Sequence, residues 1–242
     1  MGTWTFEFTG RVAVVTGANG NLGSAVAHAF AEAGAGLVLV GRSQERVREA
    51  LPDLAKLSDT FVAPSTDLTD PQSVAKMVSE ALSRFGRIDI LANTVGGYKA
   101  GDPVHESPIE VWDQMMVLNA RTAFVVSRAV IPTMIEQGYG KIIHTAARAA
   151  LKGSKGAAAY SASKAAVVRL TESLSEELKH RGINANCVLP GTIDTPENRA
   201  AMPNADHARW VAPEAIARIF LYLASDGANA IQGAAVPAYG RS

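Results

Sequence analysis

RVAVVTGANGNLG, residues 11–23, passes from β-branched and apolar residues directly into three spaced glycines. The run 11–16 predicts a buried strand. Gly17, Gly20 and Gly23 permit a tight turn and a close backbone approach to a pyrophosphate. A helix beginning near Leu22 would aim free N–H groups and partial positive charge at the same point. Asn19 and Asn21 lie within that turn. Without its strand and helix, such a glycine cluster would read as a tight connection only; with them it predicts a phosphate cradle.

Outward from this unit the pattern repeats. Short β-branched or leucine-rich runs at 37–41, 60–64, 88–92, 140–145, 183–189 and 232–237 predict further buried strands. Between them, helical periodicity covers 22–34, 44–57, 71–85, 109–136, 160–181 and 213–225. Asp70-Pro71 reads as an N-cap followed by first-turn proline, and Gly182 as a helix stop. Alternating strands and helices predict a single α/β domain over 1–242. Its expected form is a doubly wound (Rossmann) and mostly parallel sheet of about seven strands with helices on both faces. The least regular stretch, 190–212, contains Pro190, Gly191, Pro196, Pro203 and Asn204, and reads as a substrate lid or a surface loop.

Composition narrows the partners. The 242 residues carry 23 basic and 23 acidic groups, so no overall field favours nucleic acid or an anionic membrane. No apolar run approaches the roughly 20 residues of a membrane span, and residues 1–8 do not resemble a secretion signal. One cysteine, Cys187, permits no internal disulfide, in keeping with a cytoplasmic setting. The five histidines show no metal-ligand spacing, so no metal is expected. The expected partner is a small molecule held in a pocket.

Two further places carry chemistry. After strand two, where an acid would bind the adenosine 2′-hydroxyl of NAD, the chain reads Gly41-Arg42-Ser43. The Arg42 fork suits a 2′-phosphate, so NADP(H) is the expected cofactor, with NAD(H) open if Arg42 is only a solvated loop residue. Tyr160 and Lys164 are four residues apart at the start of a helix and share a face. An ammonium beside the phenol should lower its pKa towards neutrality and make it a general acid or base.

With these motifs in order and spacing, the chain resembles the short-chain dehydrogenase/reductase family along nearly its whole length. Residues 17–23 match the family's cofactor turn, although Asn21 stands where many members have glycine. The resemblance implies cofactor contacts from Gly17, Asn19, Gly20, Asn21, Leu22, Gly23, Asp67, Leu68, Asn93, Gly96, Pro190, Gly191, Thr192 and Thr195. Of these, Asp67 would touch the adenine, and Asn93-Thr94-Val95-Gly96 stands in for the NNAG segment. Asn93 reads equally as a strand-end hydrogen-bonding residue. The resemblance also implies that Tyr160 moves the substrate proton, that Lys164 holds the nicotinamide ribose, and that Asn119 completes a proton relay. It further implies a dimer or tetramer built on the helices at 109–136 and 160–181.

One position departs from the family. Its usual serine, thirteen residues before the tyrosine, is Ala147 here. A methyl donates no hydrogen bond, and such a donor is typically worth about 3 kcal/mol to a developing alkoxide. Thr145 and Ser154 are the nearby hydroxyls that could replace it. The dihydropteridine reductase-like branch also lacks that serine, and residues 146–151 and the lid signature Asp194-Thr195-Pro196, Asn198-Arg199, Met202-Pro203, Ala205-Asp206 and Trp210 look like its own. That branch implies hydride delivery to a quinonoid, dihydropterin-like ring. The alternatives are an ordinary ketone or secondary-alcohol dehydrogenase with a substitute donor, or a nucleotide-binding sensor that has lost turnover. Arg148, Lys152 and Lys155 would either attract an anionic substrate or form a plain solvated loop.

Overall fold

The computed structural model describes residues 5–241. Seven strands, β1 (Val12–Thr16), β2 (Gly36–Val40), β3 (Thr60–Val62), β4 (Ile90–Asn93), β5 (Gly140–Thr145), β6 (Ile183–Pro190) and β7 (Ala235–Ala238), form one sheet. Its order is β3-β2-β1-β4-β5-β6-β7, and every pair is parallel. Every residue of β1, β4 and β6 is buried, which explains their unbroken apolar runs: both faces of a parallel sheet are covered by its crossover helices.

Eight α-helices lie among the described residues: α1 (Asn21–Glu32), α2 (Gln44–Ala50), α3 (Pro71–Phe85), α4 (Ile109–Met115), α5 (Thr122–Gln137), α6 (Ala158–Leu178), α7 (Pro196–Ala201) and α8 (Pro213–Ala224). One face of the sheet packs in a cluster with Val26, Phe30, Ile216 and Phe220 of α1 and α8. The other packs with Val74, Met77, Val126, Val130, Leu174 and Leu178 of α3, α5 and α6. Helix ends follow the local chemistry. The Asp70 side chain accepts from Gln72 N and Ser73 N, and Gly182, at φ 74°, provides the left-handed stop before β6.

Three expectations need correction. The helix expected over 44–57 ends at Ala50, because Leu51 leaves helical geometry and a separate 3-10 turn, Leu54–Lys56, follows. The helix expected over 109–136 is interrupted by a π-helical turn, Met116–Arg121. The segment 190–212 is more ordered than its prolines suggest, holding α7 and a 3-10 turn at His207–Arg209. Asp194–Arg199 ion pairing at 2.5 Å, a Thr195 cap on Asn198 N and an Asn198 bond to the Ile193 carbonyl fasten it internally. A bridge between Ile193 and Val211 closes its base.

The direction of the strand order reverses between β1 and β4, so their carboxyl ends open a crevice for a ligand. Their opposite ends are locked by Asp89, fully buried, which accepts from Arg87 Nε (2.7 Å), Arg87 Nη2 (2.6 Å) and Val12 N (2.9 Å), and from Arg11 Nη1 at 3.3 Å. Asp89→Ala would leave these donors without their carboxylate, and urea unfolding should show a loss of about 1–3 kcal/mol, because both arginines keep access to water.

Candidate active site

The cradle forms as the glycines require. Gly17 adopts φ +66°, and a Cβ on Gly23 would lie 2.0 Å from the Gly17 carbonyl oxygen, so α1 reaches the turn only because position 23 has no side chain. Gly20 caps α1 without any side-chain bond to the helix's first N–H groups, leaving them for an anion. These observations fit a dinucleotide pyrophosphate. Leu22 is buried, whereas Asn19 and Asn21 are exposed. Asn21 Nδ2 donates to Glu197 Oε2 of α7 at 2.8 Å, so the residue that replaces a glycine ties the cradle to the 190–212 segment.

Arg42 is exposed at the end of β2, and its charge helps hold the Asp67 carboxyl below its usual range, after the larger effect of the bonds from Thr69 N and Oγ1. Leu68, next in the chain to Asp67, is buried. Pro190 ends β6, Gly191 N bonds to Ala238 O, and the Thr192 carbonyl accepts from Val211 N. The Thr195 hydroxyl accepts from Asn198 N as the cap of α7.

Asn93 is consumed by the fold. Its Oδ1 accepts from Thr16 Oγ1 at 2.6 Å, its Nδ2 faces His144 Nδ1 at 3.1 Å, and its carbonyl accepts from Thr145 Oγ1 at 3.0 Å. An amide N–H donating to Nδ1 requires His144 to carry its proton on Nε2, which then donates to Ser127 Oγ at 3.1 Å. Burial, and then the Lys164 ammonium, push His144 down to about 4, in keeping with the neutral ring. The strand-end reading of Asn93 describes its side chain.

The chemical residues meet above this network. The π-helical turn carries Asn119 inwards, and π turns are frequent at functional sites. Asn119 Oδ1 accepts from Gly97 N at 2.9 Å, while Nδ2 donates to Gly97 O at 3.1 Å and Ser163 Oγ at 2.9 Å. Lys164 Nζ donates to the Thr145 carbonyl at 2.9 Å. A Cβ at Gly96 would come within 2.7 Å of Lys164 Nζ and 2.9 Å of Asn119 Oδ1, so glycine there makes room for both.

Tyr160 differs electrostatically from the sequence expectation. Burial, with a smaller effect from Tyr98, pushes it up to about 12, whereas proximity to Lys164 was expected to bring it towards neutrality. The ammonium is bonded to Thr145 O, and burial takes Lys164 itself down to about 8. The phenol therefore keeps its proton at neutral pH, as a general acid must.

Ala147 is buried and extended just beyond β5. Thr145 Oγ1 is committed to the Asn93 carbonyl, and Ser154 is exposed in the turn before α6. Arg148, Lys152 and Lys155 are also exposed, with Arg148 Cζ 5.3 Å from the centroid of the Tyr239 ring. The sequence reading missed Tyr98, Ser163, His144 and Glu197. A residue count from Tyr160 gives Ser163 a place on α6, but only folding brings Tyr98 and Glu197 to the site. Among the described residues there is no cluster of metal-ligating side chains, and no helix is long and apolar enough to cross a membrane.

A phosphate cradle at a switch point and a Tyr-Lys pair on α6 define a nicotinamide-dependent oxidoreductase. The short chain dehydrogenase profile matches residues 11–206, and the chain belongs to the short-chain dehydrogenase/reductase family. An uncharacterized oxidoreductase of Staphylococcus saprophyticus is 34% identical over 191 residues, covering 78% of this chain and 81% of that protein. A gluconate 5-dehydrogenase from Burkholderia cenocepacia J2315, solved with NADP and tartrate, superposes with a TM-score of 0.90 at 28% identity, covering 98% of this chain and 96% of its own. An NAD+-bound xylitol dehydrogenase superposes at 0.87 with 27% identity, covering 96% and 99%.

Lys164 tests the electrostatics of the site. In the folded chain it loses its proton near 8, against the ordinary 10.5, so the unfolded state binds more protons between those values and folding stability rises with pH across that window. Lys164→Met should abolish turnover yet match or exceed wild-type stability at pH 7. In urea titrations that advantage should shrink as pH approaches 10.5, and a constant difference would contradict the assignment.

Proposed function

We propose that this oxidoreductase reduces a conjugated, electron-poor acceptor of the quinonoid dihydropterin kind, with NADPH preferred. The observation that carries this reading is a half-buried Tyr160 on α6, one turn before Lys164, with only the Ala147 methyl at the position of the family's second donor. A dinucleotide held by its pyrophosphate at the cradle would supply a hydride from its nicotinamide, so the acceptor would gain two electrons and need one proton at a heteroatom. Tyr160 donates that proton. Lys164 would hold the ribose, and Asn119 keeps the segment at Gly97 in place. An isolated ketone places the whole developing charge on one oxygen, where loss of a donor is costly; a conjugated ring spreads it.

Arg42 supports the cofactor preference, because a guanidinium at the end of β2 suits a 2′-phosphate better than a bare hydroxyl. Asp67, Leu68, Gly96, Pro190, Gly191, Thr192 and Thr195 would line the remainder of the cofactor. The segment 190–212 would act as the substrate lid within one domain spanning 1–242, in a cytoplasmic enzyme. The dimer or tetramer would use 109–136 and 160–181, and the outward side chains Trp112 (44% exposed), Val117 (41%) and Phe124 (54%) of the first segment support that assembly. Light scattering tests that assembly, and a monomer at micromolar concentration would exclude it.

Tyr160→Phe should reduce pterin turnover by about a hundredfold or more with NADPH affinity retained. Ala147→Ser should raise turnover of simple ketones. Ketone reduction by wild type, with no pterin activity, would favour the ordinary carbonyl-reductase reading. Fluorescence titration should give NADPH at least about tenfold tighter binding than NADH, and Arg42→Ala should erase the difference.

A further inference from the structure

Tyr98 has no role in the fold that accounts for its position. It lies two residues beyond Gly96 and is 70% exposed, yet its ring packs edge-on against Tyr160, with centroids 4.8 Å apart and planes at 82°. The backbone before it is set by the catalytic residues themselves. Both polar groups of Gly97 are bonded to Asn119, and a Cβ at Gly97 would lie 2.4 Å from Leu118 Cδ2. Asn119 thus fixes where Tyr98 starts, and Tyr160 fixes where its ring rests. The Tyr98 hydroxyl makes no hydrogen bond among the described residues, whereas two hydroxyls near the site are committed to backbone carbonyls. Thr145 donates to Asn93 O, and Ser163 donates to Tyr160 O at 2.8 Å.

We propose that Tyr98 is a second catalytic hydrogen-bond donor, acting on a heteroatom of the acceptor distinct from the one Tyr160 protonates. This rests on the conjugated-acceptor reading above and deepens it. When hydride enters one carbon of a conjugated ring, negative charge grows on heteroatoms across the ring as well as beside that carbon. A donor at the Ala147 position would face only the adjacent atom. A second phenol, its ring packed edge-on against that of Tyr160, offers a donor to another heteroatom, so Tyr98 and Ala147 together select acceptors with two hydrogen-bonding heteroatoms over simple ketones. The bond is a contact only: the proton on Tyr98 stays on Tyr98, and the balance of hydride and Tyr160 proton is unchanged.

The test compares wild type with Tyr98→Phe, Tyr98→Ala and Tyr160→Phe, using NADPH and quinonoid 6,7-dimethyldihydropterin, with NADPH affinity and Tm measured alongside. Tyr98→Phe should lower kcat by about tenfold to a hundredfold, below the full effect of a buried oxyanion donor because the site is open to water. NADPH affinity and Tm should stay at wild-type values. Wild-type kcat in Tyr98→Phe would overturn the proposal, and so would a loss confined to Tyr98→Ala, which would assign the ring to packing. A rise in KM at constant kcat would also overturn it, by placing the contact in the ground state. A wild type that leaves the pterin untouched would remove the proposal together with its acceptor class. Full activity in Tyr160→Phe would instead refute the general-acid reading.

Discussion

The hydrogen bonds of Asn93 are the constraint on which the site depends. One buried amide joins Thr16 at the end of β1 to His144 in β5, and its carbonyl holds the Thr145 hydroxyl. The Thr145 carbonyl in turn receives the Lys164 ammonium. The two strands bordering the crevice and the lysine above it are thereby registered to one another by largely buried groups. Each unmade bond there would carry its full desolvation cost. Neutral His144 suits this arrangement, since a second ring proton would face the Asn93 amide instead of accepting from it.

Much of this architecture was legible in the sequence because parallel strands covered on both faces must be apolar throughout, and the helices between them must be amphipathic. The glycine turn was legible for a different reason: Gly17 and Gly23 occupy places that a Cβ would strain or block. The end of the second helix was not legible, because Leu51 and Leu54 continue an apolar spacing while packing from a turn. Nor was the π turn, which leaves the hydrophobic pattern of 109–136 almost intact. The order within 190–212 comes from side-chain bonds, Asp194 to Arg199 above all, that no periodicity records.

The Tyr160–Lys164 spacing put both residues on one helix, α6, but spacing says nothing about dielectric. Side chains that share a helix face attract only as far as their surroundings and other partners allow. In this fold burial raises the phenol and lowers the amine together, and the amine has turned to a backbone carbonyl. Both groups therefore rest nearer their neutral forms than an exposed pair would.

The π turn at Met116–Arg121 has a consequence for how this chain can vary. It places one more residue between α4 and α5 than a regular helix joining the same two ends would hold. Removing a single residue there would restore ordinary helical pitch with both ends in place and change which residues of the turn face inwards. Asn119 would leave Gly97, although every residue type at the site remained unchanged. Length across 116–121 is thus as much a requirement of the active site as the identity of any side chain within it.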